Sequence, residues 1–548
     1  MKTPPLNGPI AVIGAGTMGI GIAQVAAQAG HSVLLFDVSG EAARHALDNL
    51  HTRLNQRVEM GKAEAGATQA LLQRITRVDS LQALASCVLV IEAIVEQLEA
   101  KQNLFRQLES ICSARTLFTS NTSSLSITAI ARELSAPQRM AGLHFFNPAP
   151  LMKLVEIIQG LETSSQTVET LKALIADWKK QPVVCRSTPG FIVNRIARPF
   201  YAEALRALEE QVASPPTLDA VMKESGGFAM GPLQLMDLIG HDINYAVTES
   251  LFHAFYGDPR FQPSLQQKEL VDAGYLGRKR GRGFYLYDIK GNNTKGNDKK
   301  KDTQLQPKIE PKQPKEQKLP VRIRATGNWV ALPHFVSLLR QPDLQKYNIV
   351  FEEHKNDRFH SPTLQLDDVI LILTKGRTCA QITDEIRVPV MQFDLSANHQ
   401  TASIITLSTA YQNTPQQTAK VISFIQSLGK QVILLPDYPG LLAMRTVAML
   451  CNEALDAVNK GIARAEDIDL AMRYGVSYPI GPLTWGEQVG WKHILTTLEN
   501  LHKYYGESRY RPVPLLRQLA ADHARLQLSR LHEDHKHKNN NKGSSHGR

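Results

Sequence analysis

Apolar and polar positions alternate in blocks over residues 9–37. The run PIAVIG has the length and composition of a short buried strand, and the Ala-rich stretch AGTMGIGIAQVAAQAG lacks proline and closes on Gly30, as a helix with a glycine stop does. SVLLFD is a second apolar strand, ending in Asp37. Further buried-strand candidates are VLVIEAI at 88–94, TLFTS at 116–120, AGLHFF at 141–146, KLVEII at 153–158 and PVVC at 182–185. Helical stretches separate the first several, which predicts a parallel sheet. From Gly190 to about Leu286 the apolar spacing changes to three and four residues, as in IARPFYAEALRALEEQV, which predicts helices. The expectation is a doubly wound α/β domain over 1–188 and an all-α domain over 189–289.

Residues 290–320 are rich in Lys, Asn, Gln and Pro, with Leu305 and Ile309 the only apolar positions before residue 319. Such a segment buries no core and reads as a linker. Beyond it the chain repeats itself at an offset of 250. Pro189-Gly190 recurs as Pro439-Gly440, Glu203-Ala204-Leu205 as Glu453-Ala454-Leu455, and Gly231-Pro232-Leu233 as Gly481-Pro482-Leu483. Gln166, Ile175, Lys180, Gln181, Asp219 and Gly240 keep the same register with Gln416, Ile425, Lys430, Gln431, Asp469 and Gly490. The second half is therefore expected to hold a degenerate α/β domain at 321–436 and a second all-α domain at 437–530. The His- and Asn-rich stretch 531–548 reads as a disordered tail.

Composition narrows the class. A hydrophobic fraction of 43% and a charged fraction of 21% are those of a globular protein. No run of 18 apolar residues exists, so no membrane span is expected, and MKTPPLNGP lacks the apolar core of a secretory signal. The net charge of +10 lies mainly in the linker and the tail, neither of which carries aromatic residues between the charges, so nucleic acid is not an expected partner. Five scattered cysteines without a CxxC pair argue against a metal site or a disulfide framework and for the reducing cytoplasm.

Candidate chemistry is concentrated in the first 195 residues. GAGTMG places Gly14, Gly16 and Gly19 in G-x-G-x-x-G spacing between a strand and a helix, with Asp37 at the end of the next strand. Glycines there let a backbone approach a pyrophosphate at a helix N-terminus, and an acid at Asp37 suits a ribose hydroxyl and repels a 2′-phosphate. NAD is thus the expected cofactor. TSNTSSLSIT presents a polar cluster after a strand, and GLHFFNPAPLMKLVEII brings His144 and Glu156 near two strand ends. A histidine that accepts a hydroxyl proton needs a carboxylate to hold its tautomer. In TPGFIVNR, Asn194 is a polar amide among apolar neighbours at the start of a helix.

IGAGTMG, EAIVE, SNTSSL, HFFNPAPLMKLVEI, TPGFIVNR and GRKRGRGFY, in this order, resemble the L-3-hydroxyacyl-CoA dehydrogenase family over about 1–290. A second copy of its helical domain covers about 437–520. The resemblance implies a Rossmann-type NAD-binding domain followed by a helical domain. It also implies a catalytic set of Ser123, His144, Glu156 and Asn194, and NAD contacts at Asp37, Glu96, Lys101, Ser123, Asn147 and Lys279. Lys62 matches a coenzyme A contact in a weaker motif. Val88 departs from the family, which usually has Asp there, and is expected to affect packing only.

Within the family, MGPLQLMDLIGHDINYAV, GDPRFQPSLQQKELVDAGYLGRKRGRGFY and the duplicated C-terminal half are similar to the phenylacetate-pathway 3-hydroxyadipyl-CoA dehydrogenases. No enoyl-CoA hydratase module fits the chain. The alternatives are a short-chain 3-hydroxybutyryl-CoA dehydrogenase and a catalytically silent NAD-binding structural protein. A distal substrate carboxylate would need a cation, for which Arg260 and Arg198 are candidates. In the 250-residue register His144 falls on Asp394, Glu156 on Thr406 and Asn194 on Met444, so the second half is expected to be inactive. Because the helical domain mediates dimerisation in two-domain members, the expectation is either a homo-oligomer or an internal pseudo-dimer of the two helical domains.

Overall fold

In the computed structural model, residues 6–287, 307–312, 322–327, 329, 332–341, 349–351 and 362–521 are described. They fall into two compact bodies, Met1–Arg195 with Lys460–Val476, and Ile196–Asn459 with Ser477–Arg548. The expected tail lies outside the described residues, as does the expected linker apart from 307–312. Those six residues are docked onto the second body and are not a free spacer. The Lys308 N–H donates to Thr217 Oγ1 at 2.9 Å and the Glu310 N–H to the Val432 carbonyl at 2.8 Å, with Ile309 half-buried between them.

The first body is built on an eight-stranded sheet of β1 (Ile10–Ile13), β2 (Val33–Phe36), β3 (Ile75–Arg77), β4 (Leu89–Glu92), β5 (Leu117–Ser120), β6 (Met140–Phe145), β7 (Leu154–Gln159) and β8 (Gln181–Arg186). Their order is β3-β2-β1-β4-β5-β6-β7-β8. The first six strands are parallel, with β1 central and β4 beside it, the arrangement of a dinucleotide-binding sheet. The apolar strand runs are buried against the helix Thr17–Gln28 on one side of a continuous core.

Two features of the sheet were not expected from the sequence. The short edge strand β3 has only one buried residue, Ile75, and its sequence ITR gives no apolar run to recognise. Strand β7 runs antiparallel to β6, because the eight residues between them are too few for the crossover that a parallel neighbour requires.

The second body contains a seven-stranded sheet of β9 (Ile323–Thr326), β10 (Ile349–Phe351), β11 (Thr363–Leu366), β12 (Val369–Leu373), β13 (Val390–Phe393), β14 (Ile404–Thr409) and β15 (Gln431–Leu435), ordered β10-β9-β11-β12-β13-β14-β15. At the 250-residue offset β14 falls on β7, and β13 and β15 fall within β6 and β8, with the same antiparallel β13–β14 and parallel β14–β15 pairings. The part of the sheet that carries the glycine loop in the first repeat is replaced here by the antiparallel ladder β9–β11–β12.

The helical regions of both repeats share a core within this second body. The helix Ala443–Asn459, buried along almost its whole length, packs on Arg198–Glu209, its equivalent in the first repeat. Arg445 Nε meets Glu203 Oε2 at 2.8 Å, both side chains fully enclosed, and Tyr510 donates to the same carboxylate oxygen at 3.0 Å. Phe228 stacks near Trp485 and Tyr478, with ring centroids 5.6 and 5.1 Å away.

Equivalent helices of the two repeats are exchanged. In the first body, the second repeat's helix Ala465–Gly475 lies on β7 and β8, and the Arg186 N–H donates to the Ile462 carbonyl at 2.8 Å. In the second body, the first repeat's helix Pro215–Ala220 and the turn Val221–Ser225 occupy the matching place beside β14. There the Ala397 N–H donates to the Gly226 carbonyl at 3.2 Å and Ser403 donates to Glu224 at 3.1 Å. Each α/β sheet is thus covered by a helix from the other repeat.

Candidate active site

The turn between β1 and the helix Thr17–Gln28 has a different reason for each glycine. Gly14 sits at φ +100, and a Cβ on Gly19 would lie 1.8 Å from the Gly14 carbonyl oxygen, so the helix can approach the strand only without one. A Cβ on Gly16 would meet nothing within 4 Å, so the loop is open there. The helix begins at Gly16 with no side-chain cap, which leaves its first N–H groups to an anion. Asp37 accepts the Ala15 N–H at 2.7 Å and the Ser39 N–H at 2.9 Å, which fixes its carboxylate beside the loop. The open cradle, the uncapped helix and the acid fit an NAD pyrophosphate and ribose.

Beside this turn lies a network that sequence reasoning recovered only in part. Glu92, the last residue of β4, is fully buried and accepts from Lys101 Nζ at 2.5 Å, the Ile94 N–H at 2.7 Å and Ser120 Oγ at 2.6 Å. Lys101 also meets Glu96 Oε2 at 3.3 Å. Glu96 in turn gathers Thr122 Oγ1 at 2.6 Å and the Ser123 and Ser124 N–H groups at 3.0 and 3.2 Å. Burial alone would raise the Glu96 carboxyl, but the Thr122 hydrogen bond, the Lys101 charge and the serine contacts outweigh it and hold it below the usual carboxylate range. Glu96, Lys101 and Ser123 are therefore brought together, with the Lys101 ammonium clamped between two carboxylates. Glu92 was missed, although an acid closing an apolar strand is a buried charge that requires a partner.

His144 and Glu156 are direct cross-strand partners on β6 and β7. His144 Nδ1 and Glu156 Oε2 are 2.7 Å apart, with Glu156 fully enclosed and His144 at 7% exposure. The other carboxylate oxygen accepts the Ile192 N–H at 3.1 Å and the Val193 N–H at 3.0 Å. Glu156 thus holds the imidazole with one oxygen and the start of the helix Val193–Ile196 with the other. Asn194 is the next residue of that helix and is half-buried. The chain enters it through Gly190 at φ +73 and Phe191 at φ +49, and the Phe191 ring lies 5.9 Å from His144.

The remaining expected residues are more dispersed. Asn147 is exposed in the loop after β6, and Lys62 is exposed just past the helix Gly40–Glu59. Lys279 lies in the second body, paired with Asp242 at 2.6 Å. Arg260, expected as a substrate contact, is instead committed to structure. Its guanidinium meets Asp258 at 2.8 Å, Glu453 at 2.8 Å and Asp456 at 3.1 Å, so its donors are spent on tying the two helical regions together. Among the described residues no three His, Cys, Asp or Glu side chains are grouped to hold a metal. All five cysteines are buried free thiols.

At the matching place in the second repeat, Asp394 has taken over the carboxylate role from the wrong strand. It follows β13, at the register of His144, yet it accepts the Leu442 and Ala443 N–H groups at 3.0 and 2.8 Å, the counterparts of Ile192 and Val193. Burial raises its carboxyl to about 6. The position of Glu156 holds Thr406, whose buried hydroxyl has no hydrogen-bond partner.

A dinucleotide loop next to a histidine locked by a buried carboxylate defines an NAD-dependent dehydrogenase, an oxidoreductase acting on a hydroxyl carbon. Residues 9–188 match the description "3-hydroxyacyl-CoA dehydrogenase, NAD binding domain", and 190–287 and 440–528 both match its C-terminal domain. Residues 371–439 match a "3-hydroxybutyryl-CoA dehydrogenase reduced Rossmann-fold domain". The chain belongs to the 3-hydroxyacyl-CoA dehydrogenase family. It is 48% identical to the 3-hydroxyadipyl-CoA dehydrogenase of Escherichia coli over 511 residues, 93% of this chain and 97% of that one. It is 40% identical to the mitochondrial hydroxyacyl-coenzyme A dehydrogenase of Sus scrofa, covering 51% of this chain and 90% of the relative. A crystal structure of 3-hydroxybutyryl-CoA dehydrogenase from Escherichia coli K12 is similar at a TM-score of 0.82 and 47% identity, covering 94% of this chain and 98% of that one.

Proposed function

We propose that the chain oxidises the C3 hydroxyl of 3-hydroxyadipyl-CoA to the 3-oxo thioester, as a cytoplasmic enzyme of phenylacetate catabolism. The observation that carries the chemistry is the His144–Glu156 pair beside Asn194. His144 Nε2, opposite the nitrogen held by Glu156, takes the hydroxyl proton. Glu156 keeps the imidazole in the right tautomer and offsets its developing charge. Ser123 and Asn194 donate hydrogen bonds to the reacting oxygens. Bound NAD supplies the hydride acceptor; the Gly14–Gly19 loop, Asp37 and the Glu96 network with Ser123 hold and orient it. Exposed Lys62 is the residue to which this reading assigns a coenzyme A phosphate.

The adipyl substrate is supported by the near full-length relative with the same duplicated layout. A second reading, 3-hydroxybutyryl-CoA, is favoured by the description of the solved relative. Steady-state kinetics on the C4, C6 and C6-dicarboxylyl 3-hydroxyacyl-CoA substrates separates them. A clear preference for the dicarboxylyl thioester supports the adipyl reading, and a preference for C4 overturns it. No NADH formation with any of the three would leave a silent NAD-binding protein.

A further inference from the structure

A cavity of about 350 Å³ in the second body is lined by four arginines, Arg198, Arg206, Arg260 and Arg509. Three of them have carboxylate partners. Arg206 and Arg509 share Glu507 at 2.6 and 2.9 Å, and Arg260 holds its three carboxylates. Arg198 differs. Its Nη1 donates to Thr248 Oγ1 at 3.0 Å and reaches the Asn244 carbonyl at 3.5 Å, while its buried Nε donates to nothing. Among the described residues no carboxylate lies within ion-pair distance of it, although the side chain is only 5% exposed. Burial pulls the guanidinium below its ordinary value, and the two tyrosines that act against this, Tyr201 and Tyr478, are neutral near pH 7.

A buried cation without an anion is costly, because it has left water and gained no opposite charge in return. A guanidinium kept in that state on the wall of a ligand-sized cavity is a counter-charge in search of its partner. Its hydrogen-bond partners, on Thr248 and Asn244, are neutral oxygens, so its charge is left to an anion, for which a planar guanidinium suits a carboxylate. We propose that this cavity binds a carboxylate group, with Arg198 as its counter-ion. The carboxylate is that of a free dicarboxylate, held wholly within the second body.

The test uses the full chain. Adipate is titrated calorimetrically, with neutral adipamide as the control. The variants are Arg198→Gln and Leu265→Glu. Leu265 sits on the cavity rim, 81% exposed at the start of the helix Leu265–Asp272, where an acid is compatible with folding. Leu265→Glu therefore keeps the test valid even where the Arg198 variant fails to fold. The expected result is an adipate affinity that falls about 10-fold or more in Arg198→Gln and several-fold in Leu265→Glu, with adipamide bound by none of the three chains. Wild-type adipate affinity in both variants, or no adipate binding by the wild-type chain, overturns the proposal.

Discussion

His144 and Glu156 stand opposite each other on antiparallel neighbours, Nδ1 to Oε2 at 2.7 Å, and the carboxylate also ties down the helix that carries Asn194. One carboxylate therefore positions both the imidazole and the helix that carries the amide. His144→Gln should lower kcat by about 10²–10⁴-fold with NADH affinity nearly unchanged, because it removes the base and leaves the dinucleotide loop intact. Glu156→Gln should lower kcat comparably and also lower the melting temperature, since it disturbs the Ile192 and Val193 N–H contacts. Stopped-flow turnover and NADH fluorescence titration measure both. Near-normal turnover in His144→Gln would contradict the mechanism.

The glycine loop separates fold from binding. Gly19→Ala forces a Cβ against the Gly14 carbonyl and should destabilise the first body or abolish soluble expression. Gly16→Ala has free space and an ordinary φ of −65, so its melting temperature should match wild type. Its KM for NAD should nevertheless rise about 10-fold or more, because the methyl group enters the space meant for the pyrophosphate. Equal thermal stability of the two variants would refute this division.

One NAD site per chain is expected. The second repeat has Asp394, Thr406 and Met444 where the first has His144, Glu156 and Asn194, and an antiparallel ladder where the first has its glycine loop. Isothermal calorimetry should return a stoichiometry of one NADH per chain, and Asp394→Asn should leave kcat unchanged. Two equivalents per chain would disprove it.

Acid stability should report the second body. His399, buried against Phe335 and Phe393, is pushed by burial to about 4, below its ordinary value. Its contribution is therefore fully present above pH ~6.5 and is lost as the pH falls towards 4. Asp219 and Asp394, raised by burial to about 6, act in the opposite sense, losing stability as the pH rises to 6. Relative to wild type, His399→Gln should gain about 2 kcal/mol between pH 7 and pH 5. Urea unfolding at the two pH values checks this, and identical pH profiles would show that His399 does not titrate differently on unfolding.

The strands of the first sheet were legible because β1 and β4 to β7 are largely apolar and almost wholly buried, and β2 and β8 still carry the short apolar runs VLLF and PVVC. Strand β3 was not, since ITR at an edge needs little apolar surface. Of the polar cluster, Ser123 and Glu96 were legible through their motifs. The clamp of Lys101 between Glu92 and Glu96 was not, because Glu92 and Lys101 lie nine positions apart across a strand end, a loop and a helix. Arg260 shows the opposite case. A lone arginine in GDPRF looks available for a substrate until the second repeat, nearly 200 residues away, brings Glu453 and Asp456 to it.

By itself the sequence determined the order of α/β and helical segments, the dinucleotide turn, the candidacy of His144 and Glu156 and the 250-residue repeat. All of these are written in local period and spacing, which short stretches of chain carry without reference to the rest. Tertiary structure alone decided the antiparallel register that sets His144 against Glu156, the exchange of Pro215–Ser225 and Ala465–Gly475 between the two sheets, and the burial of Arg198 without an anion. Each depends on which distant surfaces meet, and an apolar helix face or a long polar side chain is compatible with many partners until packing selects one.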